Sequence, residues 1–223
     1  AALYAYQQAT FNVAVVTPSL NFNWGTQTLG IGQYNNQYVY SQDNAASPIG
    51  VALAHTGTAR TTTTIGGVTV DSVTIPAGYN YVYFHVVGTA VGMDTLVASA
   101  TIPPFNSATA YSAVSLGRVD PLGSWPSTLS ASGSDSTQII LYARDSTQGT
   151  HYVQDSTTFT LAPNANIQFT ANGGTVPITS VVIPADQYYV YLWVKGLAQG
   201  SGQATISATG YATYNTPTIA VGP

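Results

Sequence analysis

Ser72-Val-Thr-Ile-Pro-Ala-Gly-Tyr-Asn-Tyr-Val-Tyr-Phe-His-Val-Val-Gly88 and Ser180-Val-Val-Ile-Pro-Ala-Asp-Gln-Tyr-Tyr-Val-Tyr-Leu-Trp-Val-Lys-Gly196 are two versions of one segment, 108 residues apart. Within the first, Val82, Phe84 and Val86 alternate with Tyr81, Tyr83 and His85; within the second, Val190, Leu192 and Val194 alternate with Tyr189, Tyr191 and Trp193. A period of two places successive side chains on opposite faces of a strand, so each segment predicts one aliphatic core face and one outward aromatic stripe.

The agreement extends outward from this segment. Held without a gap from Leu53–Ala100 against Leu161–Ala208, the offset of 108 gives 19 identities in 48 positions, among them Gly66/Gly174, Val68/Val176, Gly92/Gly200 and Ser99-Ala100/Ser207-Ala208. It also aligns Pro18-Ser19 with Pro126-Ser127 and Tyr34 with Tyr142. A repeat unit of about a hundred residues is the size of a whole β-sandwich domain. Gly117-Arg-Val-Asp-Pro-Leu-Gly123 interrupts the pattern and marks the join. The chain therefore divides into residues 1–119, with an extra N-terminal strand over Ala9–Val16, and residues 120–223.

Strand character dominates throughout. Thr, Val, Tyr and Ile fit a pleated sheet, and Gly and Pro recur too often for a long helix. Further strands are predicted at Tyr38–Ser41, Gly50–Ala54, Leu96–Ala100, Ile139–Ala143, Thr157–Leu161, Ile167–Thr170, Ala204–Ala208 and Thr218–Val221, with turns at Ile65-Gly66-Gly67 and Asn172-Gly173-Gly174. The fold class that follows is all-β, two tandem antiparallel sandwiches, with jelly-roll and Ig-like connections both open.

Composition narrows the setting. Hydrophobic residues make up 45% but charged residues only 5%, against roughly 25% in ordinary soluble proteins. Ser, Thr, Asn, Gln, Gly and 16 Tyr supply the polarity instead. The eight acids are all Asp, and the bases are Arg60, Arg118, Arg144 and Lys195, so a basic nucleic-acid footprint is absent. Acid unfolds most proteins by protonating carboxylates that stabilise the fold only when ionised. With so few of them, an acid-tolerant extracellular protein is expected. No run of about 20 apolar residues exists to span a bilayer. Zero Cys removes thiol chemistry and Cys-ligated zinc. The start, Ala1-Ala2-Leu3-Tyr4-Ala5, fits prior removal of an initiator Met or of a signal segment.

Chemistry is sparse. His55, His85 and His151 show no metal-ligand spacing, and His85 stands where the other copy has Trp193, which favours a stacking aromatic over a ligand. No Gly-x-Ser-x-Gly elbow, paired carboxylates or Asp-x-Asp-x-Asp calcium cluster is present. Asp71, Asp94, Asp145 and Asp155 read as loop or turn residues. No catalytic residue, cofactor or metal is expected. The aromatic stripes, Tyr81, Tyr83, His85, Tyr189, Tyr191 and Trp193, are the candidate interaction surface, because exposed aromatics in a patch mark partner contacts.

Val-x-Ile-Pro-Ala-(Gly/Asp) followed by an alternating strand, then Gly-x-Ala-x-Gly and a Thr/Ala/Ser strand, resembles the tandem Ig-like repeats of microbial surface proteins, which serve as spacers, stalks and adhesive modules. The two-domain plan, the scarcity of Lys and Glu and the Tyr- and Thr-rich strands also resemble the turret subunits at the vertices of Sulfolobus turreted icosahedral virus. That resemblance implies a virion-surface protein assembled with copies of itself and other vertex proteins, in contact with host glycan or protein. The alternative is a secreted or cell-surface glycan-binding module. No Asn-x-Ser/Thr sequon is present for N-linked glycan.

Overall fold

The computed structural model describes residues 16–100, 105–121, 125–133 and 135–223. No helix occurs among them, and so none long and apolar enough to cross a membrane. The strand expected over Ala9–Val16 lies outside the described residues apart from Val16, which is not in a strand.

The strands of the first half are β1 (Leu20–Phe22), β2 (Thr26–Gly30), β3 (Gln33–Ser41), β4 (Ile49–His55), β5 (Ala59–Thr62), β6 (Ser72–Ile75), β7 (Tyr81–Gly88), β8 (Gly92–Ala100) and β9 (Ala108–Ser115). The second half follows with β10 (Arg118–Asp120), β11 (Thr128–Ser130), β12 (Ser136–Arg144), β13 (Tyr152–Val153), β14 (Thr157–Pro163), β15 (Ile167–Thr170), β16 (Pro177–Ile178), β17 (Ser180–Ile183), β18 (Tyr189–Gly196), β19 (Gly200–Gly202), β20 (Ala204–Ser207), β21 (Tyr214–Asn215) and β22 (Ile219–Gly222). Each strand predicted within the described residues falls on one of these.

In the first half, sheet β1-β3-β7-β5 packs on sheet β2-β9-β8-β4-β6. Taking β1, β3, β4, β5, β7, β8 and β9 as the seven principal strands, one sheet holds the first, second, fifth and fourth and the other the third, sixth and seventh. This is the immunoglobulin order, not a jelly roll. The second half repeats it, with β10-β12-β18-β15-β16 as one sheet. Its second layer is split into β17-β14-β20-β21 and β11-β22-β19. Where the first half has one strand, β9, the second has β21 and β22 on either side of Pro217, which cannot donate to a ladder. The sheets are antiparallel except for one edge pair in each half, β2 with β9 and β11 with β22, which run parallel.

Two separate cores result. One gathers buried residues from Leu20 to Val114 and the other from Val119 to Val221. Phe84 and Val86 are buried in the first, Leu192 and Val194 in the second, as the alternation predicted, while Val82 and Val190 are half-buried at the margin. Neighbouring core positions exchange volume between copies: Leu96 and Ala98 face inward in one, Ala204 and Ile206 in the other. Such paired swaps keep the total packed volume. Gly88 and Gly196 are identical for a steric reason. A Cβ on Gly88 would lie 2.6 Å from Gly30 O, and one on Gly196 would lie 2.4 Å from Ser130 O.

Strand register corrects the alignment of the N-terminal parts. Val39 opposes Val82 and Leu141 opposes Val190, an offset of 102, so Tyr142 is equivalent to Tyr40 and not to Tyr34. Val51 opposes Val73 and Phe159 opposes Val181, an offset of 108. The second half thus carries six additional residues between β12 and β14, the difference between those two offsets.

Candidate interaction surface

Those additional residues lie where the two halves meet. They fall in the segment containing β13, which pairs with β3 of the first half through Tyr152 opposite Tyr34 and Val153 opposite Gln33. The ladder continues with Gln154 N donating to Gly32 O at 2.8 Å.

Asp145 anchors the same segment. Its Oδ1 accepts from the backbone N–H of Thr147 at 2.8 Å and of Gly149 at 2.7 Å, and from the Thr147 hydroxyl. Its Oδ2 accepts from the Thr28 hydroxyl of β2 and lies 3.0 Å from His151 Nε2. The other ring nitrogen of His151 lies 2.9 Å from Asn35 Oδ1 of β3. Burial alone would raise the Asp145 carboxyl, but hydrogen bonds from Thr28, Thr147, His151 and Gly149 together outweigh it and bring the pKa down to about 2. Gln33 adds a third tie, donating from Nε2 to Arg144 O at 2.8 Å. Buried Gln154 reaches back across the junction to Thr64 O at 2.9 Å.

Asp186 supplies a fourth. The repeated Pro-Ala-(Gly/Asp) is a turn in both halves, closed by Tyr79 N to Pro76 O and by Gln187 N to Pro184 O, each at 3.1 Å. Its third residue has positive φ, 83° at Gly78 and 62° at Asp186. Aspartate tolerates that conformation less well than glycine, yet here its carboxylate accepts the Tyr34 hydroxyl across the junction. Burial first, and then this bond, push the Tyr34 phenol well above its ordinary value.

Rings meet over these contacts. His85 stacks on Tyr34 at 4.6 Å between centroids, Tyr34 lies 5.8 Å from Tyr152, and Tyr152 meets Tyr188 edge-on at 5.4 Å. From Tyr188 the band continues to Tyr189 and Tyr191, and within the first half Tyr38, Tyr40, Tyr81 and Tyr83 form a cluster of their own. The candidate stripe residues therefore divide. Tyr81, Tyr83 and Tyr191 are exposed, Tyr83 most at 60%. Tyr189 and Trp193 are half-buried, with Trp193 against the Gly173 turn. His85 is a correction to the sequence reading: it is half-buried in the contact between the halves, and burial, opposed by Asp186 and Gln154, holds its pKa below the ordinary histidine value.

One constellation was not legible from spacing. His55 Nδ1 lies 2.6 Å from Asp94 Oδ2 and His55 Nε2 lies 2.6 Å from the Thr61 hydroxyl. The order Asp-His-Thr has the layout of a nucleophilic triad, but Asp94 and Thr61 are both fully buried. Asp94 also accepts from the backbone of Gly57 and Thr58, so the group pins the β4–β5 connection, which crosses from one sheet to the other, to β8. Asp145 is the turn residue that the sequence suggested, accepting from the backbone of Thr147 and Gly149, whereas Asp94, also expected in a loop or turn, lies within β8; both are buried. In the second copy, Pro163, Phe169 and Gly202 stand at the positions of His55, Thr61 and Asp94, so the same place is apolar there. Among the described residues no group of three or more His, Cys, Asp or Glu is placed to hold a metal ion.

No protein-family model and no curated protein matches this chain. Among solved structures, it is similar to the β-glucuronidase of Parabacteroides merdae at 12% identity and a TM-score of 0.33, over 92% of this chain and 24% of that one. It is also similar to CBD12 from CALX1.2 at 9% identity and a TM-score of 0.31, over 85% of this chain and 79% of that one. The chain thus spans about a quarter of the glucuronidase's length, and at these scores neither likeness bears on activity, ligand or partner.

Proposed function

We propose that this chain is a non-enzymatic structural protein of an outer surface, a virion vertex turret or spike component that assembles with copies of itself and with other vertex proteins. The observation that carries this reading is the aromatic band over both halves. Its inner members join one sandwich to the other, and Tyr83 and Tyr191 remain exposed for contacts beyond the chain. Among the described residues, His55–Asp94 and His151–Asp145 each spend their hydrogen bonds on fixing strands, which fits the same reading. The scarcity of titratable surface suits a protein that meets variable or acidic surroundings. Mass spectrometry of intact particles and of the extracellular fraction tests the proposal: the chain is expected in stoichiometric association with other surface subunits. A chain that stays monomeric in solution and is missing from every particle or envelope fraction overturns it.

A second reading, a secreted or cell-surface glycan-binding module, is favoured by one feature, the 45% exposure of Tyr191 beside Trp193 on β18. A glycan array with specific signal lost on Tyr191→Ala or Trp193→Ala would place this reading ahead of the first.

A further inference from the structure

The two copies share an aromatic frame but differ at two of its positions: Tyr38, which meets Tyr40, Tyr81 and Tyr83, is Ile140 in the second copy, and the residue before Tyr81 and Tyr189 also differs. In the first, Tyr38, Tyr40, Asn80, Tyr81 and Tyr83 line an open cleft of about 300 Å³. Register makes Tyr40, Tyr81 and Tyr83 equivalent to Tyr142, Tyr189 and Tyr191. Position 80 is different: the offset of 108 puts Tyr188 where the first copy has Asn80. The ring of Tyr188 lies parallel to Tyr142, 6.2 Å away at 18°, and meets Tyr189 edge-on at 4.9 Å. Tyr83 of the first copy is 60% exposed, against 45% for its counterpart Tyr191. The second copy supplies from its own chain a ring that the first copy lacks.

We propose that the cleft of the first copy is a docking site for an aromatic side chain of a partner polypeptide, seated against Tyr40 and Tyr81 as Tyr188 is seated against Tyr142 and Tyr189. Offset and edge-to-face ring pairs are favoured over isolated rings because the negative face of one meets the positive edge of the other. Every lining residue is neutral, so the cleft offers rings to pack against and no countercharge for an anionic occupant. The cleft is also continuous with a junction that already works this way. Two residues along β7 from Tyr83 is His85, four along β3 from Tyr38 is Tyr34, and there Tyr34, Tyr152 and Tyr188 join the halves ring to ring. A pyranose is similar in thickness and is the competing occupant, but the ring held in the second copy is aromatic. The site adds partner recognition to the assembly reading without resting on it.

The test uses the full chain, isotope-labelled, titrated separately with N-acetyltyrosinamide and with methyl β-glucoside while the Asn80 side-chain amide and the Tyr81 and Tyr83 ring signals are followed. Saturable shifts confined to these groups are expected with N-acetyltyrosinamide, at the millimolar affinity that a single ring can reach, and none with the glucoside. Asn80→Tyr, which gives the first copy the residue that the second carries, is expected to weaken the response at least about tenfold. Should that variant melt early, Tyr83→Ala at the exposed rim is expected to do the same. Shifts that persist undiminished in the folded variant, saturation by the glucoside alone, or no response to N-acetyltyrosinamide overturns the assignment. Any of these failures leaves intact an assembly reading established by co-purification with particles.

Discussion

Asp145 shows how a chain with eight carboxylates can use one of them to hold two domains together. Its folded pKa, about 2, lies below the ordinary value of roughly 4 for an aspartate in an unfolded chain. A depressed carboxyl contributes stability that is complete above the unfolded value and is lost as pH falls through the folded one. The contribution of Asp145 is therefore nearly complete above pH 4, about half lost at pH 3 and largely gone near pH 2. Asp145→Ala leaves Thr28, His151 and two backbone N–H groups without their acceptor and is expected to cost about 3 kcal/mol, roughly 6–12 °C in melting temperature for a chain of this size. Melting curves from pH 2 to pH 7 check both statements: the difference between wild type and variant should be nearly constant from pH 7 to pH 4 and shrink towards pH 2. Asp94→Ala is expected to be at least as damaging, because it strands His55 and the β4–β5 connection in the first core. Hydrogen exchange should show the largest loss of protection in β4, β5 and β8, with β14 and β20 of the second core losing no more than the drop in global stability.

At the level of elements, the alternation in β7 and β18 was enough to assign strand, core face and outward face, because a strand's period of two is imposed by its own backbone. The same local signal identified β4, β8, β12 and β14. It could not reveal the six extra residues before β14 as a connector, since their partners Thr28, Asn35 and Tyr34 lie more than a hundred residues away in sequence. Nor could it show that His85 would be covered while Tyr83, two residues before it, stays exposed, because His85 is stacked on Tyr34 of β3, which is itself buried against Tyr152 of the other half. Deleting Ser146–His151 removes most of the polar connector and brings the β12–β14 connection close to the length of its counterpart between β3 and β4. Both cores should remain folded while the ties through Asp145 and His151 are lost; small-angle scattering should then report a broader distribution of interdomain distances than in the wild type. Gly196→Ala probes a different element, the close passage of β18 over Ser130. With a Cβ placed 2.4 Å from a backbone oxygen, a loss of about 1–3 kcal/mol is expected in chemical denaturation.

On the scale of the whole molecule, one sandwich has been copied in line, and the copies have diverged where they touch. The first copy presents β3 and the stacked Tyr34–His85 pair; the second has gained the connector and the Tyr34-binding Asp186. Most polar groups that could do chemistry are committed to this joint or to the β4–β5 connection of the first core, leaving tyrosines as the principal outward feature. Two sandwiches tied by a shared strand pairing, an aspartate–histidine contact and a ring stack should unfold as one body. Scanning calorimetry of the intact chain at pH 3 tests that claim most directly. A single transition, with calorimetric and van't Hoff enthalpies in agreement and a midpoint within a few degrees of that at pH 7, is the predicted result. Two resolved transitions, or a midpoint that collapses at pH 3, would contradict it.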